Sequence, residues 1–426
     1  MNAQPPVRGQ HLLRADRRFA TGSSWLARLL SPGFQRLLDM IDAGLIEGAI
    51  EATLPDGSFR VLGDPDTGPV AICELKTWRP LVRLVTTGSV GWYRSWAEGE
   101  WTSPDPVPIF DLFMRNRHPL GELGRAQGPL RFFNLIWHAF RRNSREQARR
   151  NIAFHYDLGN DFYELWLDRT MSYSSALFEE PISRAEPLEQ AQHRKITALL
   201  DRLDLKPGST LLEIGCGWGG LAEVAAAEYG ADVTGITLSV EQKTYADERI
   251  ARAGLAGKAR FEIRDYRDVE RRYDAVASVE MVEAVGEAYW DAYMTAIARA
   301  LKPGGRAALQ YIEIDDAIFE SYRTDADFIQ TYIFPGGMLI SESRFRAAAE
   351  RAGLRWEASS RHGFGLHYAE TLRRWRESFD AAVAACRLPQ GFDDAFVKLW
   401  RFYLMYCEGG FAGGGIDVAQ VTLVKA

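Results

Sequence analysis

The chain has 426 residues, of which 46% are hydrophobic and 25% are charged, and its formal net charge is −6. This length exceeds one ordinary domain and suits two or three. The composition is that of a soluble globular protein, and the negative charge gives no overall attraction to nucleic acid, so no nucleic-acid partner is predicted.

The cysteines and the apolar runs place further limits on the class of protein. The four cysteines are scattered, which favours reduced thiols in the cytoplasm over a disulfide framework or a zinc site, and no metal is predicted. No apolar run approaches the roughly 20 residues that span a bilayer. The arginine-rich N-terminus lacks the apolar core of a secretory signal.

The first part of the chain predicts a flexible N-terminus, residues 1–24, and a separate α+β domain, residues 25–125. A helical pattern opens this domain, and alternating segments bounded by turn residues predict a small antiparallel sheet. Two further segments look helical. We expect the domain to serve lipid binding or dimerisation. The helical segments are 25–42, 81–86 and 91–98, and the strands are 49–54, 59–62 and 70–75.

Residues 126–150 form a predicted basic amphipathic linker. Trp137 and Phe140 belong to its apolar surface. Arginines such as Arg141, Arg142 and Arg145 outnumber the single acidic residue of the segment. Basic and aromatic residues on one helix suit a membrane interface. A helix packed between two domains, with its arginines in solvent, is the other interpretation, and the sequence leaves both open.

A glycine-rich loop begins the third part, residues 151–426. An apolar strand, 211–214, leads into Gly215, Gly217, Gly219 and Gly220, and a helical run follows. Glycines let backbone N–H groups approach a ligand closely, and the helix N-terminus favours negative charge. Dinucleotides and S-adenosylmethionine (SAM) both use such loops, so the loop alone does not decide between them.

The following strands favour SAM over a nicotinamide cofactor. A dinucleotide site typically has an acidic residue near the end of the second strand, where it binds the ribose hydroxyls. Here that strand, 232–237, ends at Thr237, Leu238 and Ser239, none of which is acidic. Strands 259–263 and 273–279 come next, and a helix, the turn sequence 301–305 and a fifth strand, 306–312, follow. This alternation predicts an α/β fold with a doubly wound, Rossmann-like parallel sheet.

Several blocks around this core resemble one family of methyltransferases. They are residues 155–163, 171–176, 215–220, 237–242, 328–337, 368–372 and 403–411. In this order they resemble the cyclopropane-fatty-acyl-phospholipid synthase family, strongly over 150–426 and more loosely before. The resemblance implies a SAM-dependent methyltransferase that acts on a double bond of a lipid acyl chain, with aromatic rings that stabilise a carbocation.

The resemblance also implies which residues hold the cofactor. Tyr173 and Ser174 would close over the methionine end of SAM, which Gly215, Gly217 and Gly219 approach. The ribose would lie at Thr237, Leu238 and Gln242, and the adenine near Asp265 and Tyr266.

The catalytic residues implied by the family are only partly present. In the family a bicarbonate ion takes the proton lost on ring closure, and its cradle contains a cysteine, a glutamate followed by histidine, a second histidine and a tyrosine. Here Glu283, Ile312 and Tyr368 match, but Ser175 replaces the cysteine and Gln310 the second histidine, and Ala284 follows Glu283. An added carboxylate, Glu280, either faces the pocket or lies at the surface, with the surface favoured.

Bicarbonate is therefore a doubtful cofactor, because Gln310 cannot take up a proton as histidine can. We expect a methyl-branched or methylene acyl chain, of the kind that precedes furan fatty acids. A cyclopropane ring is the main alternative, and a catalytically silent lipid-binding relative is another. The expected partners are the unsaturated acyl chains of a membrane phospholipid, a cytoplasmic membrane face contacted peripherally, and a second copy in a homodimer.

Overall fold

The computed structural model describes residues 8–17, 31–120, 158–324 and 327–426. It divides into two compact units. The first contains Met1–Arg141, Ala317–Pro335 and Pro389–Ile416, and the second contains Arg142–Asp316, Gly336–Leu388 and Asp417–Ala426. The predicted linker lies outside the described residues, and the predicted domain boundaries stay a prediction.

The elements are numbered in chain order across both units. The described helices are α1 (Ser31–Gly44), α2 (Arg79–Ala97), α3 (Val107–Arg115), α4 (Asn160–Tyr163), α5 (Leu188–Leu200), α6 (Gly220–Glu228), α7 (Val240–Arg252), α8 (Trp290–Ala300), α9 (Asp316–Tyr322), α10 (Glu342–Arg351), α11 (Gly365–Ala384) and α12 (Asp394–Ala412). The described strands are β1 (Gly48–Thr53), β2 (Phe59–Asp64), β3 (Val70–Leu75), β4 (Trp101–Thr102), β5 (Thr210–Ile214), β6 (Asp232–Thr237), β7 (Ala259–Ile263), β8 (Tyr273–Val279), β9 (Leu301–Ile314), β10 (Leu354–Gly363) and β11 (Ile416–Lys425).

The first unit contains a four-stranded sheet in the order β2-β1-β3-β4. The prediction of an antiparallel sheet is wrong for one pair, because β1 and β3 are parallel while β1 and β2 are antiparallel. The chain between β2 and β3 explains the difference, since it crosses to the far side of β1. There the Oγ1 atom of Thr67 accepts a hydrogen bond from the N–H of Gly48, and Pro69 O accepts one from the N–H of Ala49.

The two helical segments predicted after this sheet form one kinked helix, α2. Gly88 has φ 58° and ψ −140°, which lies outside the helical region and is open to glycine without a Cβ penalty. The helix predicted from residue 25 is described from Ser31, and the residues before it lie outside the described part.

The second unit is built on a seven-stranded sheet in the order β10-β11-β9-β8-β5-β6-β7. Strands β5 to β9 pair in parallel, which confirms the predicted doubly wound sheet, and β10 and β11 are antiparallel to each other. Strands β6, β7 and β8 have the predicted bounds. Strand β9 starts at Leu301 instead of residue 306, because the 301–305 segment continues the pairing with β8 across a shift in register.

This topology places the loops that follow β5, β6, β7 and β8 at one edge of the sheet. In a parallel sheet all carboxyl ends lie on the same side, and ligands bind in the crevice outside them. Small residues on α6 pack under this edge, including Ala222 and Ala225, which are fully buried. Within the described residues, no helix combines the length and apolar character that crossing a bilayer requires.

Candidate active site

The loop between β5 and α6 depends on glycine at several positions. Gly215, Gly217 and Gly219 have φ angles of 81°, 48° and 83°, a region that other residues rarely adopt. A Cβ on Gly217 would meet no atom within 4 Å, whereas one on Gly215 would lie 2.8 Å from Met281 Cγ. The loop therefore leaves open space beside Gly217 for the close approach of a ligand.

That space belongs to a cavity of about 200 Å³ at the carboxyl edge of the sheet. All of the predicted cofactor-binding residues except Gly219 line it, namely Tyr173, Ser174, Gly215, Gly217, Thr237, Leu238, Gln242, Asp265 and Tyr266. A Cβ on Gly219 would instead lie 3.0 Å from Ala246 Cβ and 3.1 Å from Phe261 Cζ. Gly219 thus permits the close packing of α7 and β7 against the loop.

The cavity wall that follows β6 is polar but uncharged. The hydroxyl of Thr237 donates to Gln242 Oε1 at 2.9 Å, and Ser239 caps α7 by accepting a hydrogen bond from the N–H of Gln242 at 3.2 Å. After β7, Asp265 accepts hydrogen bonds from the guanidinium of Arg267 at 2.8 and 2.6 Å. Hydroxyl and amide groups at the end of β6 suit ribose hydroxyls without the acid that a dinucleotide site uses.

Two buried titratable residues that line the cavity, Lys195 and Glu213, were missed by the sequence analysis. Lys195 is 2% exposed, and its ammonium donates to Ser174 Oγ at 2.6 Å. Burial lowers the pKa of Lys195 to about 8 and raises that of Glu213, on β5, to about 8. The signal in the sequence was Glu213 itself, a carboxylate within an otherwise apolar strand.

Glu280 is the centre of a second cluster, which we call the carboxylate cradle: Ser175, Glu280, Gln310 and Tyr368. The Oε1 atom of Glu280 accepts from the backbone N–H of Ser175 at 2.9 Å and from Gln310 Nε2 at 2.8 Å. Its Oε2 atom accepts from the hydroxyl of Tyr368 at 2.7 Å. The favoured prediction of a surface position for Glu280 is therefore wrong, because three donors from distant segments converge on it.

The backbone at Glu280 and the partner of Gln310 fix this arrangement. Glu280 has φ 46°, which is unusual for a residue with a side chain, and its N–H donates to Gln310 O at 2.8 Å. Gln420, which is fully buried, donates to Gln310 Oε1 at 3.0 Å. With its oxygen occupied in this way, the amide of Gln310 directs its nitrogen towards Glu280.

Glu283 and Ile312 lie beside the cradle. The backbone N–H of Ile312 donates to Glu283 Oε1, while the buried Oε2 atom has no hydrogen-bond partner among the described residues. Burial, with the neighbouring charge of Glu280 as a second cause, raises the pKa of Glu283 to about 8. At neutral pH Glu283 is therefore mainly protonated.

Aromatic rings stand next to the cradle. The ring of Tyr368 packs edge-on against Trp375 at a centroid distance of 6.1 Å, and Trp375 lies 5.4 Å from Tyr173. Tyr332, a ring that the family motifs also single out, belongs to the first unit, where its hydroxyl donates to Asp16 Oδ1 at 2.8 Å. Within the second unit, the structure thus links Tyr368 to the cradle.

Comparisons with known proteins agree with this geometry. The family described as mycolic acid cyclopropane synthetase matches residues 143–421. The tuberculostearic acid methyltransferase UfaA1 of Mycobacterium tuberculosis is 40% identical, over 80% of this chain and 80% of that protein. The cyclopropane-fatty-acyl-phospholipid synthase of Escherichia coli K12 is 34% identical, over 80% of this chain and 85% of that protein.

Solved structures are similar over about two thirds of the chain. The mycolic acid cyclopropane synthase CmaA1, complexed with SAH and CTAB, is 30% identical with a TM-score of 0.60. The match covers 65% of this chain and 98% of that one. The cyclopropane synthase MmaA2 of Mycobacterium tuberculosis gives the same TM-score of 0.60 at 29% identity, with the same coverage.

Proposed function

This chain belongs to the mycolic acid cyclopropane synthetase family of SAM-dependent methyltransferases, and we propose that it methylates a double bond in an acyl chain of a membrane phospholipid. We propose further that the product is a methyl-branched or methylene acyl chain. The family, the fold class and SAM as cofactor are confirmed sequence predictions. Product, head group and membrane contact are proposals.

The names of the relatives support an acyl substrate. UfaA1 is named for tuberculostearic acid, a relative from Pseudomonas putida at 38% identity is a probable fatty acid methyltransferase, and the Escherichia coli protein is named for fatty-acyl phospholipid. The two with the higher identity are named methyltransferases and the third a cyclopropane synthase. Methyl transfer to an unsaturated acyl chain is the chemistry that these names share.

SAM supplies an electrophilic methyl group on a positively charged sulfur. The residues of the chain hold the double bond of the acyl chain in place. This matters because an alkene is a weak nucleophile and must lie in line with the methyl group of SAM. When one alkene carbon bonds to the methyl group, the neighbouring alkene carbon becomes a cation. The face of an aromatic ring such as Tyr368 or Tyr173 stabilises a cation without reacting with it.

One observation carries the proposal for the product: the donors of the carboxylate cradle are already occupied. Ser175 N–H, Gln310 Nε2 and the Tyr368 hydroxyl all donate to Glu280. A bicarbonate ion at the same place would lose these donors and would lie against the carboxyl group of Glu280. Ring closure assisted by bicarbonate is therefore disfavoured, and cyclopropane formation is the second candidate because of the named synthases in the family.

The test of the substrate is the transfer of isotopically labelled methyl from SAM to phospholipid vesicles. We expect label in the acyl chains of monounsaturated vesicles and none in vesicles whose chains are saturated. The matched control is the Gly217→Val variant, which lacks the open space beside the glycine loop. Equal labelling of saturated vesicles, or label in the head group only, would contradict the proposal.

Membrane contact is proposed from the basic linker, which lies outside the described residues. Each basic residue near an anionic surface contributes about 1 kcal/mol. Replacement of Arg141, Arg142 and Arg145 by Gln should weaken binding to anionic vesicles and reduce its dependence on salt. Equal co-sedimentation of variant and wild type at low salt would favour packing between domains instead.

The first unit offers a second surface for its proposed role in lipid binding or dimerisation. The pairing of β1 with β2 and β3 puts Phe59, Val61, Val70 and Ile72 on one face of the sheet. Their exposed fractions are 63%, 40%, 39% and 50%. Vesicle binding and sedimentation equilibrium of a Phe59→Ser, Ile72→Ser variant would tell the two roles apart.

A further inference from the structure

The carboxylate cradle contains Glu280, which takes no part in the transfer of the methyl group itself. The proposed unsaturated product requires loss of a proton after methyl transfer, because a C–H bond next to the cation must give up its electron pair to form the new double bond. Gln310 has no basic site, and the hydroxyl of Tyr368 is already a donor to Glu280. Among the side chains of the cradle, Glu280 is the one carboxyl group, and its ionised form is a base.

We infer that Glu280 is the proton acceptor of the reaction, a carboxylate built into the chain that takes the place of a bound anion. This inference rests on the proposed function and deepens it. The hydrogen-bond donors to the Glu280 carboxylate belong to the residues at positions 175, 310 and 368. At these same positions the family resemblance puts an anion-binding cradle. The carboxylate of Glu280 thus occupies the place where the cradle of the family would bind a separate anion.

The position of Glu280 suits this role better than that of Glu283. Glu280 lines the cofactor cavity together with Ser174, Gly215 and Met281, whereas Glu283 is outside the lining. Burial raises the pKa of Glu280, and the three hydrogen bonds to its carboxylate and the charge of Lys195 oppose that rise. Glu283, whose pKa is raised to about 8 mainly by burial, largely keeps its proton at neutral pH and does not serve as the acceptor there.

The backbone indicates that the position of this carboxylate is built into the fold. A residue with a side chain at φ 46° is strained, and such strain persists only where the surroundings determine it. The N–H of Glu280 is held by Gln310 O, and the same residue's amide holds the carboxylate. The backbone and the side chain of Gln310 therefore fix both ends of Glu280.

The step balances without any further reactant. The electron pair of the alkene forms the new carbon–carbon bond to the methyl group as the carbon–sulfur bond breaks, which leaves a neutral thioether and a carbocation. A C–H bond on a chain carbon next to the cation then gives its proton to Glu280 and its electron pair to a new carbon–carbon double bond. A methylene product forms when a hydride first shifts from the methylated carbon to the cation, and the added methyl group then gives its proton to Glu280. The proton on Glu280 returns to solvent before the next turnover.

The experiment compares wild type, Glu280→Gln and Glu280→Ala in buffers with and without bicarbonate. We expect both variants to bind SAM with nearly the wild-type affinity in calorimetry. General-base assistance is worth about 10²–10⁴-fold, and turnover should fall by such a factor. Added formate or bicarbonate should restore part of the turnover of Glu280→Ala, which leaves room for an anion, but not that of Glu280→Gln. Asp291→Asn, at an exposed ion pair with Arg351, is the matched control.

Three outcomes would overturn the inference. They are wild-type turnover that requires bicarbonate, a Glu280→Gln variant with wild-type turnover, and a loss of SAM affinity that accounts for the whole loss of turnover. If the larger changes prevent folding, Glu280→Asp keeps the charge but moves it, and wild-type turnover in that variant would also count against the inference. Failure of the wild type to label unsaturated lipid contradicts the proposed function instead.

Discussion

The cofactor cavity and the carboxylate cradle adjoin in the second unit, but the chain builds them in different ways. The cavity is lined by loops that follow successive parallel strands, and its shape depends on backbone conformation at Gly215 and Gly217. The cradle depends on side chains that are far apart in sequence, such as Ser175 and Glu280, which are 105 positions apart. A site made by backbone is visible in local sequence, whereas a site made by a side-chain network is not.

The largest effect should come from the backbone site. In Gly217→Val a branched side chain would project into the cavity, where a Cβ meets no protein atom within 4 Å. We expect SAM affinity to fall by about 100-fold or more, or ~2.7 kcal/mol, and methyl transfer to be lost with it. Calorimetry measures the affinity, and circular dichroism checks that the variant is folded. Wild-type affinity in a folded variant would separate the loop from the cofactor.

The next effect should come from the cradle and should leave the cofactor site intact. Tyr368→Phe removes the donor to Glu280 Oε2. Hydrogen bonds to charged groups contribute about 1.5–3 kcal/mol, so turnover should fall by about 10- to 150-fold. Steady-state kinetics with unchanged SAM affinity would sharpen the contrast between the two sites. Tyr311→Phe, which removes a buried donor to Glu342, is the matched control, and an equal loss of turnover in it would contradict the assignment.

A third prediction concerns stability and pH. The pKa of Glu283 is about 8 in the folded protein, against 4.5 for the exposed group, so the folded state keeps a proton that the unfolded state releases. This contribution is fully present below pH 4.5 and is lost as the pH rises through about 8. Glu283→Gln should therefore lose less stability than wild type between these values.

Urea unfolding at several pH values measures that difference. Glu213, whose pKa is also about 8, gives the wild type and the Glu283→Gln variant the same additional slope, so the comparison isolates Glu283. Parallel curves for the two proteins would show that Glu283 is ionised in the folded state. The turnover of the Glu283→Gln variant should change less than that of Glu280→Gln, because Glu283 is not among the residues that line the cavity.

The smallest effect should come from the cap of α7. Ser239→Ala removes the acceptor for the N–H of Gln242, and loss of such a cap costs about 1 kcal/mol of stability. Since Gln242 lines the cavity, SAM affinity should fall by less than about tenfold, the equivalent of 1.4 kcal/mol. Thermal unfolding and calorimetry test both numbers. A loss as large as that of Gly217→Val would mean that the cap, and not the glycine loop, sets the cofactor site.

The sequence predicted the second unit well because its signals are local. Strands β6 to β8 have the expected bounds, since each is a short segment set off by turn or helical residues on both sides, and the residues that follow them line the cavity. In the first unit the alternating pattern identified β1 and β3 but not their parallel pairing, which depends on where the chain crosses after β2. Hydrophobic alternation does not record that choice.

Glu280 shows the limit most clearly. Its sequence neighbours give no sign that it occupies a left-handed backbone conformation or that Gln310 and Tyr368 will meet it. The missing histidines at positions 284 and 310 indicated a changed reaction site, but only the folded arrangement shows what replaces them. Lys195 was missed for the same reason, because a lysine on a helix is usually exposed.

The central claim, a methylated acyl chain without a ring, is tested most directly by the product formed from SAM with a deuterated methyl group. The purified enzyme and monounsaturated phospholipid should give an acyl chain that keeps a double bond, seen as olefinic signals in NMR. A methyl branch keeps all of the deuterium, and a methylene group loses one deuterium to the base. A saturated product that has lost one deuterium and shows the upfield signals of a cyclopropane would contradict the account.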